Sequence, residues 1–386
     1  MHTVRVNRKA AGRIASGHPW IFASDVLDRG QATAGEAVLV VDPSGKSLGT
    51  AHYSDTSQIA LRLLSDRAET VDRSFFLRRL AEAEAYRKRV VHDSTAYRLV
   101  HGEADQLPGL VIDRYGDYFT IQTLDQGMDY AKGEIVSVLQ ELFAPRGIAE
   151  RNDVAVRKRE ALPLQSGVLA GEIPDTVRIE MNGLTLHADL LRGQKTGVFL
   201  DQRENYVAGA RYAHGRALDC FAATGGFALH LAASCDSVEA IDSSEASLRT
   251  AELNRAENQI SNVEFHEADA FELLAGHASA HRRFDTVVLD PPAFAKTRAN
   301  LDAAARGYKE INRRALELLS PGGVLVTCSC SHHLAEAMLL EIVAEASLDT
   351  GRKLRVLERR TQSQDHPILL TVPETLYLKC LILEVI

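Results

Sequence analysis

Apolar and polar positions alternate with a short period in the first 70 residues. E-A-V-L-V-V (36–41) and Q-I-A-L-R-L-L-S (58–65) predict strands, and S-L-G-T-A-H-Y-S between them predicts a returning one. D-P-S-G (42–45) supplies the turn, with Pro43 and Gly45 as its punctuation. The spacing changes over 72–91, where D-R-S-F-F-L-R-R-L-A-E-A-E-A-Y-R-K-R-V-V predicts a helix with a basic end. A hairpin over 109–124, turning at Tyr115-Gly116-Asp117, and a helix over 128–143, stopped near Pro145, come next. A second hairpin spans 177–190, where Asn182-Gly183 is a type I′ turn signal.

From about residue 200 the rhythm becomes strand–helix alternation. Strands are expected at 217–221, 237–242, 262–266, 284–290 and 323–329, with helices between them such as 244–258. That order predicts a parallel, doubly wound α/β sheet. L-Y-L-K-C-L-I-L-E-V (376–385) adds a late strand, read as an antiparallel edge. Three domains follow: a small β-rich one over 1–70, a mixed α+β one over 71–190, and the α/β one over 191–386.

Charge narrows the partners. The formal net charge is −8 over 386 residues, so a coat of non-specific basic surface for nucleic acid is excluded, and any such partner is held by local patches. The sequence holds no run of about 18 apolar residues, and its basic start is followed by no apolar core, so neither a membrane span nor a secretory leader is expected. Five scattered cysteines, Cys220, Cys235, Cys328, Cys330 and Cys380, form no disulfide framework or Cys-x-x-Cys zinc site. The expected compartment is the cytoplasm, and no metal site is expected.

The first strand of the alternating region runs into D-C-F-A-A-T-G-G-F (219–227). Gly225 and Gly226 fall where a strand turns into a helix and the backbone can approach a ligand. The next strand ends in Asp242, 23 residues beyond Asp219, a spacing suited to accepting ribose hydroxyls. E-A-D-A (267–270) follows the third strand and D-P-P-A-F (290–294) the fourth. Ala222 and Ala223 replace the first glycine of a dinucleotide fingerprint, which favours a nucleoside ligand without a pyrophosphate.

These strings resemble the class I S-adenosylmethionine-dependent methyltransferases, whose C-terminal domain is Rossmann-like. The resemblance implies S-adenosyl-L-methionine as cofactor, with Asp219 near the methionine amine, Asp242 at the ribose and Asp269 near the adenine. It implies Gln202, Phe221, Thr224, Gly225, Gly226, Phe227, Ser243, Ala270 and Asp290 as further cofactor-binding positions.

The fifth strand ends in T-C-S-C-S (327–331), so Cys328 and Cys330 are two residues apart and share a face if the strand continues. Carbon 5 of a pyrimidine is a poor nucleophile until a thiolate adds to carbon 6, and covalent catalysis by an activated cysteine answers that need. Methylation of an exocyclic amine needs no such cysteine, and D-P-P-A-F alone favours that chemistry.

Residues 190–331 further resemble the bacterial 23S ribosomal RNA cytosine-5 methyltransferases. The matching strings are R-G-Q-K-T-G-V-F-L-D-Q-R-E-N (192–205), L-D-C-F-A-A-T-G-G-F (218–227), L-D-P-P-A-F-A-K (289–296), R-G-Y-K-E-I-N (306–312) and T-C-S-C-S (327–331). N-R-K-A-A-G-R-I-A-S-G-H-P-W-I-F (7–22) fits that family's N-terminal PUA-type RNA-binding module, and R-N-D-V-A-V-R-K-R-E (151–160) fits its middle domain. The resemblance implies Cys330 as nucleophile and Asp290 gripping the base, and a helix expected to start near His332 would help hold the thiolate at its N-terminus. Ala293 stands where many cytosine-5 RNA enzymes carry a second cysteine, so the base that takes the carbon 5 proton is Cys328, His332 or a bound water.

The RNA contacts expected are Arg8, Lys9, Arg13 and Trp20 in the first domain, and Arg157 and Lys158 in the middle one, with Arg87, Lys88 and Arg89 as a further basic run. The target cytosine must be single-stranded or flipped for carbon 6 to be reached. A homodimer is compatible with all of this. The competing readings are an amine methyltransferase and a non-catalytic RNA-binding assembly protein.

Overall fold

The computed structural model of the protein describes residues 1–193, 197–295 and 300–386. Gln194, Lys195 and Thr196 of the 192–205 string, and Lys296 of the 289–296 string, lie outside them. The chain divides into two compact units. One comprises Met1–Glu180, Ala188–Val198 and Gln364–Thr375, and the other comprises Met181–His187, Phe199–Ser363 and Leu376–Ile386.

The first unit holds two sheets. A six-stranded sheet is ordered Trp20–Phe22, Ile59–Ser65, Ser47–Tyr53, Ala37–Val41, Thr3–Val6 and Val26–Asp28. Its alternating inner positions, among them Val4, Val6, Ile21, Val38, Val40 and Leu61, form one core against Ala10 of the helix Arg8–Ala15. A five-stranded sheet is ordered Gln165–Gly171, Gly147–Asn152, Tyr118–Thr123, Leu110–Tyr115 and Ala96–His101. The helix Arg73–Val90 starts at Asp72, whose carboxylate accepts the N–H groups of Ser74 and Phe75, and buries Phe75, Phe76, Leu80 and Ala83 in that sheet's core. The expected helix over 128–143 is two shorter ones, Gln126–Tyr130 and Lys132–Phe143. In the second unit, Asn182 and Gly183 take φ of +52° and +82°, the signature of a type I′ turn.

The second unit is a seven-stranded sheet: β1 (Arg216–Cys220), β2 (Ser237–Asp242), β3 (Val263–Glu267), β4 (Phe284–Leu289), β5 (Leu319–Ser329), β6 (Leu354–Arg360) and β7 (Lys379–Val385). The spatial order is β3-β2-β1-β4-β5-β7-β6. The first five strands run parallel, and β7 pairs antiparallel to both β5 and β6. Between them run α1 (Arg203–Tyr212), α2 (Gly226–Leu231), α3 (Glu245–Glu257), α4 (Ala270–Ser279), α5 (Leu301–Leu318) and α6 (Glu336–Asp349). The central strands β1, β4 and β5 are buried on both faces along most of their length, which is why they read as near-continuous apolar runs, whereas the edge strand β3 exposes Glu264, His266 and Glu267.

Two expectations are corrected here. The late strand β7 is not the edge, because β6 lies outside it. L-R-V-L-E-R-R was not read as a strand because its charges mask the period, and such charge suits an edge. The helix after the fifth strand starts at Glu336 rather than near His332, since residues 332–334 form a turn. Strand order reverses at β1, which lies between β2 and β4, so the ligand crevice is expected at the carboxyl ends of β1 and β4. Among the described residues no helix is long and apolar enough to cross a membrane.

Candidate active site

The loop from β1 to α2 is tightly wound. Phe221, Ala223 and Gly225 take φ of +70°, +47° and +87°, a conformation uncommon for residues with a side chain. Backbone bonds hold it: Ala222 N donates to Ile241 O at 2.8 Å, and Gly225 N to Ala222 O at 2.8 Å. Asn254 on α3 donates to Thr224 O at 3.0 Å. Gly225 is required by its left-handed φ. Gly226 has another reason, since a Cβ there would lie 2.4 Å from Cζ of Tyr206. Phe227 is buried and meets Tyr206 edge-on at 4.8 Å, so its ring belongs to the core.

The acidic strand ends differ in what they hold. One oxygen of Asp219 accepts Ala228 N at 2.9 Å, while the other is buried without a hydrogen-bond partner. Burial pushes this carboxyl well above the usual carboxylate range; the Ala228 N–H opposes the shift, and Asp290 and Asp242 add to it. A cationic ligand group at the bare oxygen would relieve the cost. Asp242, half-buried at the end of β2, accepts Ala223 N and Ser244 N, each at 2.9 Å. Asp269 caps α4, accepting Glu272 N at 3.0 Å beside the buried Ala270, and Ser243 is exposed. Gln202 is buried, with its Oε1 accepting from Asn205 at 2.6 Å, and its side chain also interacts with the Cys328 thiol. The bare Asp219 oxygen, the sharp glycine turn and the ribose-spaced Asp242 fit an S-adenosylmethionine-type ligand.

The two cysteines of T-C-S-C-S are unlike. Cys328 lies within β5 opposite Cys380 of β7 and is fully buried. Burial, then Cys380 and Asp290, push its thiol well above the usual range. Cys330 comes just after β5 ends and is half-buried. Asp290 comes just after β4, its N–H 3.4 Å from Cys220 O.

A hydroxyl network ties the two loops together. Ser329 Oγ donates to the Tyr308 hydroxyl at 2.9 Å, the Tyr308 and Ser331 hydroxyls share a bond of 3.2 Å, and Ala295 N donates to Ser331 Oγ at 3.3 Å. Phe294 packs on Tyr308 at 4.7 Å between ring centroids, and Gly307 leaves room for it, since a Cβ there would be 3.3 Å from the ring. Lys379, at the start of β7, is buried and donates to Ser331 O at 2.6 Å and Tyr377 O at 2.8 Å. His332 packs on the Tyr377 ring at 5.4 Å; burial, with Lys379 and His333, holds its imidazole below the usual range. Tyr308 and Lys379 were not singled out from sequence. Tyr308 lies within R-G-Y-K-E-I-N (306–312), and Lys379 is legible as one charge in an apolar strand.

The basic residues sort by exposure. Arg8, Lys9 and Lys158 are exposed, and Arg8 lines a cavity of about 420 Å³ with Ala11, Asp42, Pro43 and Ser44. Arg13 pairs with Asp25 at 2.8 Å and lies 4.7 Å over the Phe22 ring. Trp20 is half-buried, its indole N–H on Glu103 at 2.8 Å. Arg157 is corrected: it is fully buried, bonded to the carbonyl and hydroxyl of Thr123, to Asp129 and to Pro163 O, and so is closed to phosphate. Arg87 is buried likewise on Asp105, Arg98 O and Asp365 O. In each run one residue of three faces inward, so a count of charges overstates the surface.

The comparisons fit this geometry. The family model of S-adenosylmethionine-dependent methyltransferases matches residues 140–381, and that of PUA-like domains matches residues 4–66. Ribosomal RNA large subunit methyltransferase I of Shewanella amazonensis is 44% identical over 377 residues, covering 95% of each chain. That of Tolumonas auensis is 42% identical, covering 100% of this chain and 99% of its own. A solved methyltransferase complexed with SAH has a TM-score of 0.86 at 21% identity, and a SAM-dependent methyltransferase from Streptococcus mutans has 0.84 at 21%, each covering 100% of both chains. The chain belongs to the S-adenosylmethionine-dependent methyltransferases and, within them, to the family of ribosomal RNA large subunit methyltransferase I.

Proposed function

We propose that the protein forms 5-methylcytosine in 23S rRNA in the cytoplasm, with Cys330 as the covalent nucleophile. The single observation that carries this is the contrast between Cys330, half-exposed just past β5, and Cys328, sealed in the sheet with its thiol held neutral. Asp219, Asp242 and Asp269 hold the amine, ribose and adenine ends of the cofactor, joined by Gln202, Phe221, Thr224, Gly225, Gly226, Ser243 and Ala270, with Phe227 supporting from the core. Bound S-adenosylmethionine supplies an electrophilic methyl group.

The chain's own residues prepare the base. Asp290 hydrogen-bonds its edge, and the Cys330 sulfur bonds to carbon 6, placing electron density on carbon 5. After carbon 5 is methylated, its proton leaves to a base, and the carbon 6–sulfur bond breaks to release the thiolate. Cys328 is unsuited to that proton transfer, because a sealed thiol is a poor base partner, which leaves His332 or a bound water. Phe294 is engaged by Tyr308 and Phe271, which weakens the amine reading, where an aromatic must grip the flipped base. Arg8, Lys9, Arg13, Lys158 and the edge of Trp20 contact RNA. The test is methyl transfer to rRNA lacking the modification, followed by mass spectrometry of digested fragments. A methyl group on carbon 5 of a cytosine supports the proposal, and a methyl on an exocyclic nitrogen overturns it.

A further inference from the structure

Lys379 stands out in the second unit as a buried ammonium whose hydrogen bonds go to carbonyls. It is 5% exposed, and its two bonds go to Ser331 O and Tyr377 O. Among the described residues no carboxylate pairs with it at ion-pair distance. A buried cation without a counter-charge is costly, and such groups persist when something nearby supplies the opposite charge. Lys379 is the register partner of Ser329, and its ammonium reaches along to the carbonyl of Ser331. Cys330 is the residue between those two anchor points. With no helix N-terminus at His332, the loop offers this cation as its support for a thiolate.

We infer that Lys379 is a positioning residue for the reaction: its ammonium is the counter-ion of a Cys330 thiolate and fixes the loop that aims the sulfur. The inference rests on reading Cys330 as the nucleophile. The Lys379 ammonium is lowered to about 8, by burial against the opposing pull of a negative Cys330, so each charge stabilises the other. The other titratable and charged groups around the pair are His332 and His333 on the same loop, Tyr308 from α5, Asp290 after β4, and Cys328 and Cys380 in β5 and β7. Tyr377, which carries one of the carbonyls, passes its own hydroxyl to Asp201 at 2.8 Å. The two histidines repel an ammonium when protonated. Among the described residues the lysine is the cation whose ammonium hydrogen-bonds into this loop, at Ser331 O. The ammonium is present below about pH 8 and is lost as pH rises through that value.

The experiment follows alkylation of Cys330 by iodoacetamide against pH in the full-length protein, resolved by peptide mass spectrometry. In Lys379→Met the midpoint should move up by about one pH unit or more, slowing alkylation at pH 7 about tenfold. Lys379→Arg, which keeps the charge, should stay within about threefold of the unaltered protein. A lysine that only ties carbonyls together would change thermal stability and leave the alkylation profile in place, and superimposed profiles overturn the inference. The reciprocal arm needs no change at Lys379. In protein carrying ¹³C-labelled lysine, Cys330→Ser should lower the Lys379 titration midpoint, and an unmoved midpoint also overturns the inference. RNA containing 5-fluorocytosine separates this claim from the one beneath it. If the profiles shift but no adduct forms, the pair stands and the cytosine reading falls; if the adduct forms and no profile shifts, the pair falls.

Discussion

At the β1–β2 end of the crevice the chain is held by backbone groups: Ala222, Ala223, Gly225 and Ala228 donate their N–H groups to carbonyls and to the carboxylates of Asp242 and Asp219. At the β4–β5 end it is held by side chains: the hydroxyls of Ser329, Tyr308 and Ser331, and the Lys379 ammonium. Backbone anchoring leaves a loop whose shape depends on a few conformational demands, such as the φ of Gly225. Side-chain anchoring makes the second loop chemically tunable, because each anchor can be altered or titrated singly. The first half suits a ligand common to many reactions, and the second suits a residue whose reactivity must be set.

The comparison breaks most sharply at Cys330. Cys330→Ala should abolish methyl transfer while calorimetry shows cofactor and RNA still bound, whereas Cys328→Ala should retain measurable turnover. Arg157→Ala tests the corrected residue in the first unit. It removes a buried cation from Asp129 and three further acceptor atoms, and should cost on the order of 3 kcal/mol in denaturant unfolding. Asp242→Ala deletes a charge-assisted acceptor and frees two N–H groups of the loop. Cofactor affinity should weaken by about 1.5–3 kcal/mol in calorimetry, and an unchanged affinity defeats the ribose assignment.

Tyr308→Phe removes one hydroxyl from the second half only. It should cost about 1 kcal/mol in stability and lower kcat, with cofactor affinity unmoved. The smallest effect belongs to the exposed bases. Arg8→Ala and Lys9→Ala should each reduce the salt slope of RNA binding by about one and leave the unfolding midpoint in place.

Much of the second unit was legible because its central parallel strands announce themselves as apolar runs and the strand ends carry the acidic residues. The type I′ turn at Asn182-Gly183 was legible for a local reason, as only such residues take positive φ twice in succession. What escaped depended on tertiary placement. Arg157 and Lys158 are neighbours of like charge, yet one is sealed and the other is exposed. At Gly226 the Tyr206 ring adds a packing reason for glycine that the sequence does not carry. Strand β6 hid behind its charges, and the turn at residues 332–334 delayed a helix that no capping signal had marked. Lys379 drew no notice because its meaning comes from Ser329 and Ser331, some fifty residues earlier in the chain and bonded to it only across β5 and β7.

The most direct measurement of the central claim is covalent trapping. RNA carrying 5-fluorocytosine at the modified position cannot lose fluorine as it would a proton, so the protein should stop as a protein–RNA adduct in the presence of S-adenosylmethionine. The account predicts that the adduct forms with the unaltered protein and with Cys328→Ala, maps to the peptide containing Cys330, and disappears in Cys330→Ala. An adduct that survives Cys330→Ala but is lost in Cys328→Ala, or methylation of carbon 5 that proceeds without either sulfur, would contradict it.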